Sequence, residues 1–597
     1  AAMPARQRKK KTAEPKPPKE KLITRSTIMS DYGWTATLIK KYLPPPQLKT
    51  NPNYHTAAPM QLWPESLVLE TMMTPEFQTD FLKLQDSRNV QKQREEEKKQ
   101  RVRDVLMQYD LNALILKART LDRHFVLHYG PTNSGKTYQS IEALKKARSG
   151  VYLGPLRLLA LEVFDTLNDA GVACSLLTGE ESIEVPSAGI TASTIEMLNT
   201  NRRYDVAVID EAQLIADRDR GGAWTKAILA VNAKEVHLCF APEALDFYKL
   251  LLHDCETDYE VVEHKRLTPL VYSGSIKALS CVSPGDCFVC FSRRTALNIS
   301  ATLEKKYHVK ASVIYGALPP ASRREEIRKF ASGQTSVVVA TDAIGMGVSL
   351  PIKRIIFCET TKFDGIERRP LTTGEVNQIA GRAGRYGKFD KGEVLVVGSS
   401  TLIQEKLNQP TPPISKIVIP FPNEVIESGI KLSRLLSVWQ EPPESQVIAY
   451  EDVSEPLELL KALGPLAKQM TPEQVFNCIR CPVDTQNAAL VNYWYFCCAA
   501  YAKGTSMPFP VAGTDTLEDC ELRYKQFDVL HQMMRRCGVE LDTSEARKTL
   551  CKQINKLLKE KRKNYGNECR ICGEELPLGY RYSICKDCYE SGRFMRY

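Results

Sequence analysis

The sequence predicts an α/β fold: two parallel-sheet domains in tandem, then a helical bundle and a small zinc ribbon. Three observations predict it. A glycine-rich loop at 130–137 stands between a strand-like run and a helical stretch. From about 119 to 400, apolar runs of strand length alternate with helical patterns, as a parallel sheet with covering helices requires. Near the C-terminus stand two Cys-x2-Cys pairs. With 597 residues, 43% hydrophobic and 25% charged, the chain has an ordinary globular composition, and no apolar run approaches the ~18 residues of a membrane span. No membrane partner is expected.

Residues 1–27 are Lys- and Pro-rich and read as a disordered basic tail, with Ala1-Ala2 a remnant ahead of Met3. Nine Lys/Arg and two Glu lie between Arg6 and Arg25, a net of +7. The segment Arg547 to Lys563 also carries +7, so with +10 on the whole chain the remainder is mildly acidic. Such basic segments attract a polyanion, or simply form a solvated tail and an exposed helix face. With four prolines and one serine, the tail does not resemble a transit peptide. A bacterial cytoplasm is therefore expected, with the mitochondrial matrix as the alternative. Residues 28–75, with Trp34, Pro44-Pro45-Pro46 and Trp63, form a small accessory module without recognisable chemistry. Residues 76–118, highly charged from Gln91 to Arg103, read as a helical linker.

The first α/β domain is placed at 119–268. Phe125 to Tyr129 reads as a strand and Tyr138 to Ala147 as a helix. Between them, Gly130-Pro131-Thr132-Asn133-Ser134-Gly135-Lys136-Thr137 fits the phosphate-cradling pattern G-x-x-x-x-G-K-[ST]. Glycines let backbone N–H groups close on phosphate oxygens, and the helix N-terminus adds partial positive charge. Lys136 would reach the terminal phosphates, and Thr137 would ligate Mg²⁺. Tyr204 to Ile209 reads as a strand ending in Asp210-Glu211-Ala212-Gln213. There Asp210 is placed to hold Mg²⁺, and Glu211 to orient and deprotonate an attacking water.

The second α/β domain is placed at 269–400. Strands are expected at Cys287–Phe291, Ala311–Tyr315, Ser336–Ala340, Arg354–Cys358 and Gly392–Val397, with a helix from Ala321 to Phe330. It carries Val339-Ala340-Thr341-Asp342-Ala343-Ile344-Gly345-Met346-Gly347 and Gln378-Ile379-Ala380-Gly381-Arg382-Ala383-Gly384-Arg385. Arg382 and Arg385, three apart, are expected to share one helix face and to stabilise transition-state charge on a triphosphate. Residues 401–540 read as a helical domain whose aromatics, such as Tyr493-Trp494-Tyr495-Phe496, pack its core.

Residues 541–597 read as a basic helix followed by a metal module. Cys569, Cys572, Cys585 and Cys588 give C-x2-C-x12-C-x2-C, which suits tetrahedral Zn²⁺. Arg562, Lys563, Arg570, Tyr580, Arg581, Tyr582, Arg593 and Tyr597 surround them, suiting either a nucleic-acid strand or a protein contact. Cys174, Cys239, Cys287, Cys290 and Cys358 lie in apolar runs and read as buried thiols; Cys478 and Cys481 read as packing.

The motifs Gly130–Thr137, Asp210–Gln213, Ala340-Thr341-Asp342 with Gly345-Met346-Gly347, and Gln378–Arg385, in that order, resemble those of superfamily-two helicases. The nearest resemblance is to the Suv helicases of the mitochondrial degradosome and their bacterial relatives. It extends to Arg220-Gly221-Gly222-Ala223-Trp224-Thr225, Glu235–Cys239 and Pro482-Val483-Asp484. The resemblance implies two RecA-like domains with ATP bound between them, RNA or DNA across the top, 3′→5′ unwinding and a nuclease partner. It implies γ-phosphate contacts from Gln378, Arg382 and Arg385, with Gly345 at the nucleotide. It also implies strand contacts at Pro155-Leu156-Arg157, Ser193-Thr194, Ser292-Arg293 and Thr341, which grip backbone without reading bases. The usual Ser-Ala-Thr coupling motif is here Phe240-Ala241-Pro242-Glu243. A DNA helicase or translocase, and a non-catalytic ATP-gated adaptor, remain as alternatives.

Overall fold

The computed structural model describes residues 20–50, 58–345, 349–561, 568–577, 580 and 582–591. The basic tail to residue 19, Met346-Gly347, Arg562, Lys563, Arg581, Arg593 and Tyr597 lie outside these residues. Two compact units meet between Arg101 and Val102.

The N-terminal unit holds a three-stranded antiparallel sheet, in the order Leu22–Thr24, Met60–Pro64, Gln47–Lys49. Its aromatics form the unit's core: Trp34, Trp63 and Phe77 are buried, and the Trp34 and Phe77 rings lie 4.3 Å apart. The charged segment is a single 32-residue helix, Pro75–Leu106.

The second unit starts with an eight-stranded sheet. Its order is Asp258–Glu263, His124–Tyr129, Asn232–Phe240, Arg203–Ile209, Gly150–Gly154, Ile190–Thr194, Cys174–Leu177, Ser182–Ile183. All neighbours are parallel except the last pair. Central strands such as Val206 to Ile209 are apolar on consecutive residues because helices cover both faces. The second sheet has six parallel strands, in the order Leu270–Ile276, Gly392–Val397, Arg354–Phe357, Asp286–Val289, Val337–Ala340, Ala311–Ile314. A bidentate pair crosses its centre: both Asp286 carboxylate oxygens accept from Arg354 at 2.6 Å. The five cysteines expected inside the sheets are buried.

A helical region follows, with helices at Leu432–Trp439, Ser454–Leu463, Pro472–Ile479, Ala488–Lys503, Leu517–Cys537 and Ser544–Lys561. The third starts with a capping box, Thr471 with Gln474. The bundle leans back on the first domain, where Thr225 Oγ1 donates to the Val418 carbonyl at 2.6 Å. Trp494 is fully buried in the bundle, and its Nε1 donates to the Cys478 carbonyl at 2.9 Å.

Trp494→Ala removes that bond and leaves a large cavity, so a loss of about 3–5 kcal/mol is expected. Urea unfolding followed by circular dichroism checks it; an unshifted transition would mean the bundle does not depend on this side chain.

Candidate functional site

The C-terminal edge of the first sheet gathers the residues singled out by motif. The loop 130–137 follows the strand His124–Tyr129, and the helix Lys136–Lys145 follows the loop. Its backbone is contorted, with Asn133 at φ 64° and Gly135 at φ +84°. Gly130 has a steric reason: a Cβ there would stand 2.1 Å from the His264 carbonyl. The Lys136 ammonium donates to the carbonyls of Gly130 at 2.8 Å and Pro131 at 2.7 Å. Burial lowers its pKa, against the pull of Glu211, Cys239 and Asp210. Ser134 Oγ is buried without a hydrogen-bond partner among the described residues.

Asp210 and Glu211 end the strand Arg203–Ile209, as expected. Thr137 Oγ1 donates to both Asp210 oxygens at 3.2 Å, and the buried Tyr152 hydroxyl donates to one of them at 2.9 Å. Burial and the adjacent Glu211 push the Asp210 carboxyl up to about 6, against Tyr152. Glu211 sits at φ 49°, a left-handed conformation that aims it away from the strand. Gln213 Nε2 donates to Glu211, and Gln213 Oε1 accepts from Ala241 N at 3.2 Å. Gln213 thereby ties the acidic turn to the segment that replaces the usual coupling motif.

Arg382 and Arg385 do not share a helix face. The helix Thr373–Ala380 ends before them, and both lie in the turns that follow, where Gly384 takes φ +72°. Arg382 donates to the Gly345 carbonyl at 2.7 Å and Arg385 to that of Ser349 at 3.2 Å. Gln378, on that helix, packs beside Gly345. Burial lowers the Arg382 pKa, while Glu211, Glu162 and Asp210 oppose it, so this cation faces the first domain's carboxylates. Glu162 is a member that motif reading missed, because it lies inside an ordinary helix, Arg157–Asp169.

A cleft of about 810 Å³ separates the first domain, the loop 316–320 and the bundle. Pro155, Arg157 and Thr194 line it. Ser193 does not: it is buried in its strand, its hydroxyl donating to the Thr194 carbonyl at 3.0 Å, so a strand contact through this side chain is not supported. Ser292 caps the helix Arg293–Tyr307, Arg293 pairs with Glu521 at 3.2 Å, and Thr341 is buried at the end of the strand Val337–Ala340. None of these three lines the cleft. The bundle supplies Arg480, Lys525, Arg535 and Arg536 instead, which no motif announced.

In the C-terminal cysteine module, the four Sγ atoms of Cys569, Cys572, Cys585 and Cys588 lie within 4.8 Å of one another.

Residues 112–264 match the DEXQ-box helicase domain of Suv3, and residues 274–387 match the helicase conserved C-terminal domain. The core is that of a Suv helicase, in superfamily two. Similar proteins include the human ATP-dependent RNA helicase SUPV3L1, mitochondrial, at 44% identity over 50% of this chain and 40% of the relative. The Candida albicans ATP-dependent RNA helicase SUV3, mitochondrial, is 42% identical over 51% of this chain and 44% of its own length. The Arabidopsis thaliana helicase DExH16, mitochondrial, is 42% identical over 52% of this chain and 56% of its own length. The chain thus spans about half the length of the relatives it matches. The mitochondrial names overturn the expectation of a bacterial cytoplasm: within the Suv core the identity is to mitochondrial proteins, and the composition of the tail was no guide to compartment.

Three histidines form a chain behind the phosphate loop of this Suv core. His128 Nδ1 lies 3.0 Å from His264 Nε2, His128 Nε2 lies 2.8 Å from His237 Nδ1, and His237 Nε2 meets Glu235. Burial and the flanking imidazoles push the His128 pKa from 6.5 down to about 3. The stability this neutral ring contributes is complete above pH 6.5 and lost as pH falls toward 3, because the unfolded chain then binds the proton that the folded one refuses. His128→Gln is therefore expected to flatten the fall in melting temperature between about pH 7 and pH 4. An unchanged fall would place the acid sensitivity elsewhere.

Proposed function

We propose that this chain is an ATP-dependent helicase that translocates on RNA and unwinds it 3′→5′ in RNA turnover. One observation carries the reading. Lys136 of one domain and Arg382 of the other lie close enough for Arg382 to lower the Lys136 pKa, and the Glu211 and Asp210 carboxylates reach Arg382 in turn, across the boundary where the family holds ATP.

The residues fit a magnesium-bound triphosphate. The buried Ser134 hydroxyl lacks a partner, Lys136 offers donors now turned to loop carbonyls, and Thr137 and Asp210 present adjacent oxygens. Mg²⁺ held by Thr137 and Asp210 would neutralise charge on the β- and γ-phosphates. Glu211, fixed by Gln213, orients a water and takes its proton. Gln378, Arg382 and Arg385 contact the γ-phosphate, the arginines stabilising the charge that develops there. Gln213 ties Glu211 to Ala241, in the segment that replaces the usual coupling motif.

The nucleic-acid strand is assigned to the cleft at Pro155, Arg157 and Thr194, with the bundle arginines opposite. Backbone-directed cations of this kind grip without reading sequence. RNA rather than DNA is chosen because the relatives are named RNA helicases, and the mitochondrial matrix is proposed from the same names. A nuclease partner is proposed on the family resemblance alone.

Cys569, Cys572, Cys585 and Cys588 are proposed to hold structural Zn²⁺. Tetrahedral zinc–sulfur bonds of about 2.3 Å put sulfurs about 3.8 Å apart, which the 3.6 Å between Cys572 and Cys585 approaches.

ATP hydrolysis is expected to rise on adding a 3′-tailed RNA duplex more than on adding the matching DNA. DNA-only stimulation would transfer the reading to a DNA motor, and no hydrolysis to an adaptor. Glu211→Gln is expected to retain ATP and strand binding while losing turnover by about 10²-fold or more; unimpaired hydrolysis would remove the base assignment. Elemental analysis is expected to find one zinc per chain, absent in Cys585→Ser. Full zinc in that variant would discard the site.

A further inference from the structure

The segment between the two sheets, residues 264–269, carries chemistry that none of the motifs contains. It leaves the strand Asp258–Glu263 of the first sheet and enters Leu270–Ile276 of the second. Its first residue clamps the entrance of the phosphate loop: His264 N donates to the Tyr129 carbonyl at 2.8 Å, and its own carbonyl lies over Gly130. Two residues on, Arg266 reaches both halves of the nucleotide site. Its Nη1 donates to the Thr132 carbonyl of the phosphate loop at 3.1 Å and to the Gly381 carbonyl at 2.7 Å. Its Nη2 donates to the Ala383 carbonyl, and its Nε to that of Thr268 at 2.6 Å.

Gly381 and Ala383 are the residues on either side of Arg382. One planar guanidinium therefore fixes the backbone both before and after that arginine, relative to Thr132. The contact is close, since a Cβ on Gly381 would stand 2.6 Å from Thr132 Cβ. Asn133 Nδ2 adds a bond to the Gly384 carbonyl at 3.3 Å. The recorded hydrogen bonds of Arg266 all go to carbonyls. Burial alone lowers its pKa, to about 10, with no carboxylate opposing. A half-buried cation with no acidic partner among the described residues is costly, so this arrangement persists only where the fork meets all its acceptors together.

We propose that Arg266 is a positioning residue for nucleotide hydrolysis, a latch that holds Arg382 in register with the phosphate loop when the two domains close. The proposal rests on the hydrolytic reading above. It differs from a general stabilising role because it predicts a defect in turnover and not in nucleotide capture: the phosphate loop lies wholly in the first domain.

The test uses the full chain with Arg266→Gln, Arg266→Lys and Arg382→Ala, assayed with saturating RNA. In Arg266→Gln, kcat is expected to fall about tenfold or more while affinity for a fluorescent ATP analogue changes less than about threefold. Arg266→Lys is expected to resemble Arg266→Gln, because an ammonium cannot replace the fork. In an Arg382→Ala background, Arg266→Gln is expected to add nothing, since both changes remove one interaction. Unchanged kcat, or a full further loss on top of Arg382→Ala, would overturn the latch. If the unmodified chain hydrolyses no ATP, the enzymatic reading fails first. X-ray scattering of the same proteins then decides the latch: a larger radius of gyration in Arg266→Gln supports it, and an unchanged one sinks it.

Discussion

Burying opposite charges on two separate domains is the constraint around which this molecule is arranged. Lys136, Asp210 and Glu211 belong to the first sheet's edge, while Arg382 belongs to the second domain. Burial lowers the pKa of Lys136 and of Arg382 and raises that of Asp210, while the Glu211 and Asp210 carboxylates support both cations. A charge moved out of water needs a partner, and these partners are available only when the domains face each other. Much else serves to hold that geometry. The carboxylate of Asp210 is pinned by Tyr152 and Thr137, and its carbonyl accepts from the fully buried Trp224 at 3.0 Å. The linker grips the phosphate loop from behind.

Strands and loops at this edge were legible in the sequence because parallel sheets demand apolar runs that end where functional loops begin. Gly392–Val397 falls on its expected residues, and Arg203–Ile209 begins one residue before its expected start. The glycines of the phosphate loop were legible for a related reason: Gly130 faces a carbonyl at a distance no side chain tolerates. The helix assumed around Arg382 and Arg385 failed because periodicity of two residues three apart carries no information about a turn. Gly381 and Gly384 were the available warning.

What stayed illegible depends on contacts between distant segments. His128, His237 and His264 lie on or beside three strands that the topology places next to one another, and no spacing in the chain announces this. Arg266 reads as one more charge in a linker until its four acceptors are known. The same holds for Gln213. As a letter it is the last of the DEXQ box, yet as a side chain it bonds Glu211 and Ala241 together. The unusual Phe240-Ala241-Pro242-Glu243 thus keeps a direct hydrogen-bonded route to the acidic turn.

The cleft shows the same logic at its far wall. Arg157, which the motif assigned to the strand, is ion-paired with Glu180 and lies 3.6 Å from Asp528 of the bundle. Arg547, from the helix Ser544–Lys561, meets Asp528 at 2.8 Å and the Glu180 carbonyl at 2.6 Å. Burial pushes the Asp528 carboxyl up while both arginines hold it down. Any phosphate that takes Arg157 must compete with these carboxylates, and whatever frees Asp528 also loosens the hold on Arg547. A strand bound in the cleft would therefore be linked electrostatically to the basic C-terminal helix. Arg547 opens the cationic run that the sequence placed at that end of the chain. Its first charge is committed inward, to Asp528 and the Glu180 carbonyl, and the solvated-face reading does not apply to it.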